Sequence, residues 1–176
     1  NGFPTRSVTI LEGIRRKLPE GSVIYEKGCD YVHDHVFRSY FNQCSIDGKS
    51  GFKATFWNNK ELSGESVTSA WLTAPPAYNT GGNTVFEAGV NLENFSARFE
   101  SVFVPEKSEE VIFTITADDA CRVSINGQEV VSEWKNGAER KKDYKFNVVK
   151  GEQYHILIEY YQAGGEAALK FDLGMD

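Results

Sequence analysis

Cysteine is scarce in this chain: Cys29, Cys44 and Cys121 are the only three among 176 residues. An odd, sparse set does not describe a domain stapled by disulfides. Cys121, set in strand-like sequence, reads as a small buried residue. Long apolar runs are also missing, and nothing approaches the roughly 18 consecutive apolar residues of a membrane span. Positive charge is in deficit, with 19 Lys and Arg against 25 Asp and Glu and a formal net charge of −6. That balance argues against a partner held through its phosphates, such as nucleic acid. No signal peptide is visible in this sequence either. The chain opens on Asn1-Gly2-Phe3-Pro4 without a methionine, which reads as an excised fragment and leaves export open.

What is present points to β structure. Aromatics make up 13% of the chain and glycines number 16, which suits a domain of many strands and turns. From Gly51 to Gly174 apolar residues alternate with polar ones. Phe52, Ala54 and Phe56 begin the pattern, and Phe95, Ala97, Phe99 and Phe103 continue it. Val111, Phe113 and Ile115, then Tyr144, Phe146 and Val148, then Ile156, Ile158 and Tyr160 follow, and Leu169, Phe171 and Leu173 close it. Period-two alternation at this density predicts an all-β, antiparallel sandwich over residues 51–174. Its one long interruption, residues 63–91, holds Pro75-Pro76 and Gly81-Gly82; a loop of that length is usually functional or mobile.

The first 30 residues differ. Thr9 and Glu12 suggest a capping box, Ile10, Leu11, Ile14 and Leu18 an apolar helical stripe, and Ser22-Val-Ile-Tyr25 a brief strand. This is a piece of α/β sequence too short to bury its own apolar face. Residues 31–50 read as a connector whose aromatics, Tyr31, Phe37, Tyr40 and Phe41, suggest packing against something.

The most informative motif is Thr116-Ala-Asp-Asp119, followed by Arg122-Val-Ser-Ile-Asn126-Gly127. Asn-Gly between apolar runs is a strong hairpin signal because both residues must adopt positive φ. Adjacent aspartates at a loop mouth repel each other unless a cation, a hydrogen-bond donor or solvent relieves them. They form either a site for a hard cation or an acidic turn whose carboxylates accept backbone N–H bonds.

The β region resembles the protective-antigen-type sandwich, the PA14 domain family. The resemblance rests on Gly51-Phe-Lys-Ala-Thr-Phe-Trp-Asn58, Asn94-Phe-Ser-Ala-Arg-Phe-Glu100, Phe113-Thr-Ile-Thr-Ala-Asp-Asp119, Arg122-Val-Ser-Ile-Asn-Gly127 and Ile156-Leu-Ile-Glu-Tyr-Tyr161. The opening segment, Val8-Thr-Ile-Leu-Glu-Gly-Ile14 and Tyr25-Glu-Lys-Gly-Cys-Asp30, looks like the α/β domain of glycoside hydrolase family three, the β-glucosidase family. Some of its members carry such a sandwich as an insertion. The double resemblance implies an accessory domain with a stub of its host, and a periplasmic or secreted setting, although no compartment can be named from the chain. In sugar-binding members an adjacent aspartate pair holds Ca²⁺, which binds vicinal hydroxyls, and a late loop adds a carboxamide. Asp118 and Asp119 match that pair, and Gln162 is the counterpart available for the carboxamide.

Exposed rings can also stack on the C–H faces of sugars. Trp134, beside Asn136-Gly137, is the best candidate, followed by Trp71 and Tyr78 in the long interruption, whereas Trp57 reads as core. Cys29, His33, His35 and Cys44 lack the paired spacing of a structural zinc site. No catalytic residue stands out: retaining glycosidases need two carboxyl groups about 5 Å apart, the resembled family keeps its nucleophile in a barrel domain not seen here, and His155 has no nucleophile suggested beside it. Asn94-Phe95-Ser96 fits a glycosylation sequon in strand-like sequence. The expectation is a non-catalytic domain, its partners the host glycosidase domains and an oligosaccharide or glycoside substrate. A Ca²⁺-dependent lectin-like module and a structural spacer are the alternatives.

Overall fold

A computed structural model describes residues 14–19, 37–81 and 83–175. The chain divides into two compact units, residues 1–36 and 37–176. The expected helix cap and strand of the first unit, with Cys29, His33 and His35, lie outside the described residues. Within residues 14–19, the Lys17 N–H donates to the Ile14 carbonyl at 3.0 Å. Among the described residues no helix is long and apolar enough to cross a membrane.

The second unit is an antiparallel β-sandwich, as the alternation requires. In chain order its strands are β1 Arg38–Ser39, β2 Cys44–Ile46, β3 Lys49–Ser50, β4 Phe52–Trp57, β5 Thr68–Leu72, β6 Ala77–Asn79, β7 Phe95–Phe103, β8 Glu109–Asp118, β9 Ala120–Ile125, β10 Gln128–Glu133, β11 Arg140–Val148, β12 Tyr154–Gln162 and β13 Ala168–Met175. One sheet runs β1-β13-β8-β11, with β6 also on β13; the other runs β10-β9-β12-β7-β2-β3, with β4 on β7 and β5 outside β4. Residues 37–50 therefore supply β1 to β3 and a 3-10 turn, Phe41–Gln43, rather than a spacer.

Odd-numbered residues of β7 and β8 and even-numbered ones of β12 turn inward, because successive side chains of a strand alternate sides. Phe99, Phe103, Phe113, Ile115, Ile156, Ile158 and Leu173 are at most 2% exposed. Phe171 joins the layers, with its ring 5.2 Å from Phe99, 5.3 Å from Phe52, 6.2 Å from Phe41 and 6.3 Å from Phe113. Cys44 is buried here too, its Sγ 3.8 Å from the Tyr40 carbonyl, and burial pushes its thiol up to about 12. Cys121 is buried as its strand context predicted, with its thiol raised to about 11 by the same cause.

The Asn126-Gly127 hairpin forms as expected, with φ of 50° and 79° joining β9 to β10. The long interruption is not one loop. Trp71 sits on β5 and Tyr78 on β6, two short edge strands flanking Pro75-Pro76. Proline is tolerated at a sheet edge because no ladder donor is needed there, and short, half-exposed edge strands show little alternation. Trp57 is 7% exposed, but by alternation it lies on the outer side of its sheet, donating Nε1–H to the Gly64 carbonyl at 3.2 Å. The sequon asparagine, Asn94, is exposed with φ 52°, while Ser96 is buried.

Replacing Phe171 by Ala would remove a ring shared by both layers. The expected cost is about 3–5 kcal/mol, read as a lowered midpoint in urea unfolding with an unchanged slope.

Candidate functional site

Two ends of the sandwich have different contents. At one end β1 enters beside the exit of β13, with Arg38 opposite Met175 and Ser39 opposite Gly174. At the other end Ala168, the first residue of β13, lies opposite Asp118, the last of β8. The eight residues of β13 separate these ends, about 23 Å at roughly 3.3 Å per residue. The aspartate pair therefore sits at the pole distal to the β1–β13 pairing.

The peptide bond between Asp118 and Asp119 is cis. Asp119 is 6% exposed and both its carboxylate oxygens are engaged: Oδ1 accepts the Gly137 N–H at 2.8 Å and Oδ2 the Ala163 N–H at 2.9 Å. One buried side chain thus ties the β10–β11 and β12–β13 connections to the β8–β9 corner. The Asp119 carbonyl accepts from Arg140 Nη2 at 2.8 Å, and the same nitrogen donates to the Lys135 carbonyl at 3.1 Å.

Gln162 is fully buried and is part of the same joint. Its Oε1 accepts the Asp119 N–H at 3.1 Å and lies 2.9 Å from the Tyr160 hydroxyl. Its Nε2 donates to the carbonyls of Gly164 and Glu166 at 2.9 and 3.1 Å. The Tyr160 hydroxyl also rests against the Asp118 carbonyl. Asp118 is half-buried, and among the described residues no hydrogen bond reaches its carboxylate. Burial first, then the charge of Asp119 and of Glu139, raise its pKa above the ordinary aspartate value, and Arg140 opposes them.

Trp134 lies in the β10–β11 connection, half-buried. The Arg122 guanidinium sits 4.3 Å from its ring centre and Tyr161 meets it edge-on at 4.9 Å. The Tyr161 hydroxyl donates to Asn136 Oδ1 at 2.8 Å. Between the long connection before β7 and the β12–β13 turn lies a groove of about 590 Å³ lined by Thr80, Asn83, Asn91, Leu92, Glu93, Gly165 and Glu166. Its two banks are linked by the Gly165 N–H donating to Glu93 Oε1 at 2.9 Å.

The other two aromatic candidates belong elsewhere. Trp71 pairs across from Lys53, which faces Glu100 in mid-strand, so it stands apart from the pole; Lys49 covers its ring at 4.9 Å. Tyr78 stacks on Phe86 at 4.5 Å and donates to Glu87 Oε1 at 2.8 Å, which makes it a core residue with a polar tip. Alternation alone does not reveal Arg140 or the ion pairs of Glu159, because both depend on strand register. Glu159, 6% exposed, is gripped by Arg98 at 2.7 Å and Arg122 at 2.5 Å from neighbouring strands.

Residues 48–176 match the PA14 domain. The chain belongs to the PA14 domain family. It is 33% identical over 131 residues to the xylan 1,4-beta-xylosidase of Xylanibacter ruminicola, covering 73% of this chain but 15% of that enzyme. The beta-glucosidase of Kluyveromyces marxianus superposes with a TM-score of 0.65 at 16% identity, over 81% of this chain and 19% of that one. An epithelial adhesin A domain from Candida glabrata, solved in complex with Galβ1-4GlcNAc, superposes at 0.50 and 15% identity over 78% of this chain and 84% of that one. These two superpositions bear on the fold. This PA14 domain spans under a fifth of either enzyme.

A raised aspartate pKa means that ionised Asp118 opposes folding at neutral pH, whereas protonated Asp118 does not. Asp118→Asn should therefore raise the melting temperature at pH 7. The gain should shrink as the pH falls toward the ordinary aspartate value of about 3.9, measured by calorimetry across that range.

Proposed function

We propose that this PA14 domain is a non-catalytic accessory domain of a glycoside hydrolase, carried as an insertion, that shapes which oligosaccharides reach the host's active site. The observation that carries the reading is the polarity of the sandwich. Entry and exit strands are paired at one end, as an insertion into a host chain needs. The half-buried Trp134, the open groove and the aspartate corner lie at the other, where they would reach past the host surface. Glycosidases among the relatives support a hydrolase host. Residues 1–30 are then the adjoining part of that host's α/β domain, and a family-three β-glucosidase is the parent we favour, with the domain beginning where β1 begins.

Its chemistry is recognition. A part-exposed indole offers an apolar face to the C–H side of a pyranose, and the groove's Asn83, Asn91, Glu93 and Glu166 offer partners for hydroxyls. This combination of apolar surface and a few polar groups is typical of ligand sites. Sugar binding by the Candida glabrata adhesin domain, a relative in fold, is consistent with it.

Replacing residues 38–175 by a short Gly-Ser linker in the parent enzyme should change its preference for oligosaccharide length while leaving cleavage of a small aryl glycoside. An unaltered oligosaccharide profile would contradict the reading. Within the domain, Trp134→Ala should weaken oligosaccharide binding about tenfold, some 1.4 kcal/mol, in titration calorimetry, with no change in the far-ultraviolet circular dichroism.

A further inference from the structure

The aspartate corner does not have the free oxygens that a calcium site requires. Ca²⁺ takes six to eight oxygen ligands. Here Asp119 spends one carboxylate oxygen on Gly137 and the other on Ala163, and its carbonyl on Arg140. Gln162 turns its carboxamide oxygen to the Asp119 N–H and its nitrogen to two loop carbonyls. The Asp118 carbonyl faces the Tyr160 hydroxyl. Only the Asp118 carboxylate is left without a hydrogen bond among the described residues, and among them no group of three or more His, Cys, Asp or Glu could hold a metal ion.

A positive charge is nevertheless in place. Arg140 opens β11 opposite Ala117, one residue before the pair. Its Nη2 bridges the carbonyls of Asp119 and Lys135, and its Nε faces Glu133 Oε2 at 3.6 Å without a hydrogen bond of its own. Gly137 leaves room for it, since a Cβ there would collide with Arg140 Nη1. The guanidinium thus joins the β8–β9 corner to the β10–β11 connection through carbonyl oxygens, the ligand type a hard cation would use, while its charge opposes the repulsion between the two aspartates.

We propose that Arg140 takes the place of a divalent cation at the paired-aspartate corner of this domain, so that the distal pole is assembled, and the repulsion between the aspartates partly offset, without metal. Recognition at the pole then runs through hydrogen bonding and stacking by protein side chains, and carries no dependence on calcium. The inference does not rest on the accessory role, because its test contains no saccharide and no host enzyme.

The test is thermal unfolding of the full chain with excess CaCl₂ and with EDTA, beside calorimetric titration with CaCl₂. The wild type should melt at the same temperature in both and give no saturable heat. A calcium-dependent midpoint or a saturable heat would overturn the proposal. Arg140→Met should lower the midpoint by about 5 °C, and Ca²⁺ should recover part of the loss by screening the bared aspartates, with Arg140→Lys falling between. An Arg140→Met protein that melts like the wild type, whether or not Ca²⁺ is present, would show that the guanidinium is not the counter-ion. Should that variant fail to fold, the wild-type calcium titration decides alone.

Discussion

The distal pole depends on one buried carboxylate. A charge taken out of water is costly unless hydrogen bonds replace its hydration, and Asp119 meets that requirement with N–H groups from two separate connections. Burial and bonding are mutually dependent here. Without Gly137 and Ala163 the carboxylate could not be buried, and without the carboxylate two connections would lose a common anchor. Charge-assisted bonds of this kind are stronger than neutral ones and fix direction as well as distance. The positions of Trp134, Asn136 and the β12–β13 turn follow from that geometry, so the surface proposed to meet saccharide is a consequence of the joint.

A second polar system braces the outer face of the larger sheet. Glu159 stands in register between Arg98 and Arg122, on the strands to either side. Each arginine also meets an indole, Arg98 at 5.7 Å from Trp57 and Arg122 at 4.3 Å from Trp134. The result is a stripe across β4, β7, β12, β9 and the connection beyond β10. In it the Glu159 carboxylate is compensated by two arginines and each ring is supported by a cation. Arginine suits this role because its planar fork can bond a carboxylate at its edge and stack on a ring with its face. Trp134 is thereby held in a fixed orientation, which would lower the entropy lost if a ligand ring packed on it.

Much of the sandwich could be read from the sequence because its information is local. Alternation marked β4, β7, β8, β12 and β13, and Asn126-Gly127 marked the hairpin, since period and turn chemistry are properties of a few consecutive residues. The pieces that escaped depend on distant partners. Arg38–Ser39 becomes a strand only because β13 offers it an edge, and Trp71 and Tyr78 enter strands without a readable period. The same division runs through the site. The paired aspartates were visible as an oddity of adjacent charge, and the reading that Asp carboxylates accept backbone N–H bonds describes Asp119. That Gln162 would serve as an internal brace, and that Arg140 would close the corner, depends on register across three connections, which spacing along the chain does not express.

On the proposed reading, the pole bearing Asp118, Asp119 and Trp134, remote from the β1–β13 pairing, is the face that meets saccharide. Backbone amide shifts of the isotope-labelled chain, followed during titration with a series of oligosaccharides, test it most directly. Perturbations should be confined to residues 134–139, 161–166 and the groove around Glu93, with Arg38 and Gly174 unmoved. Shifts centred on the β1–β13 end, or none with any oligosaccharide in the series, would contradict it.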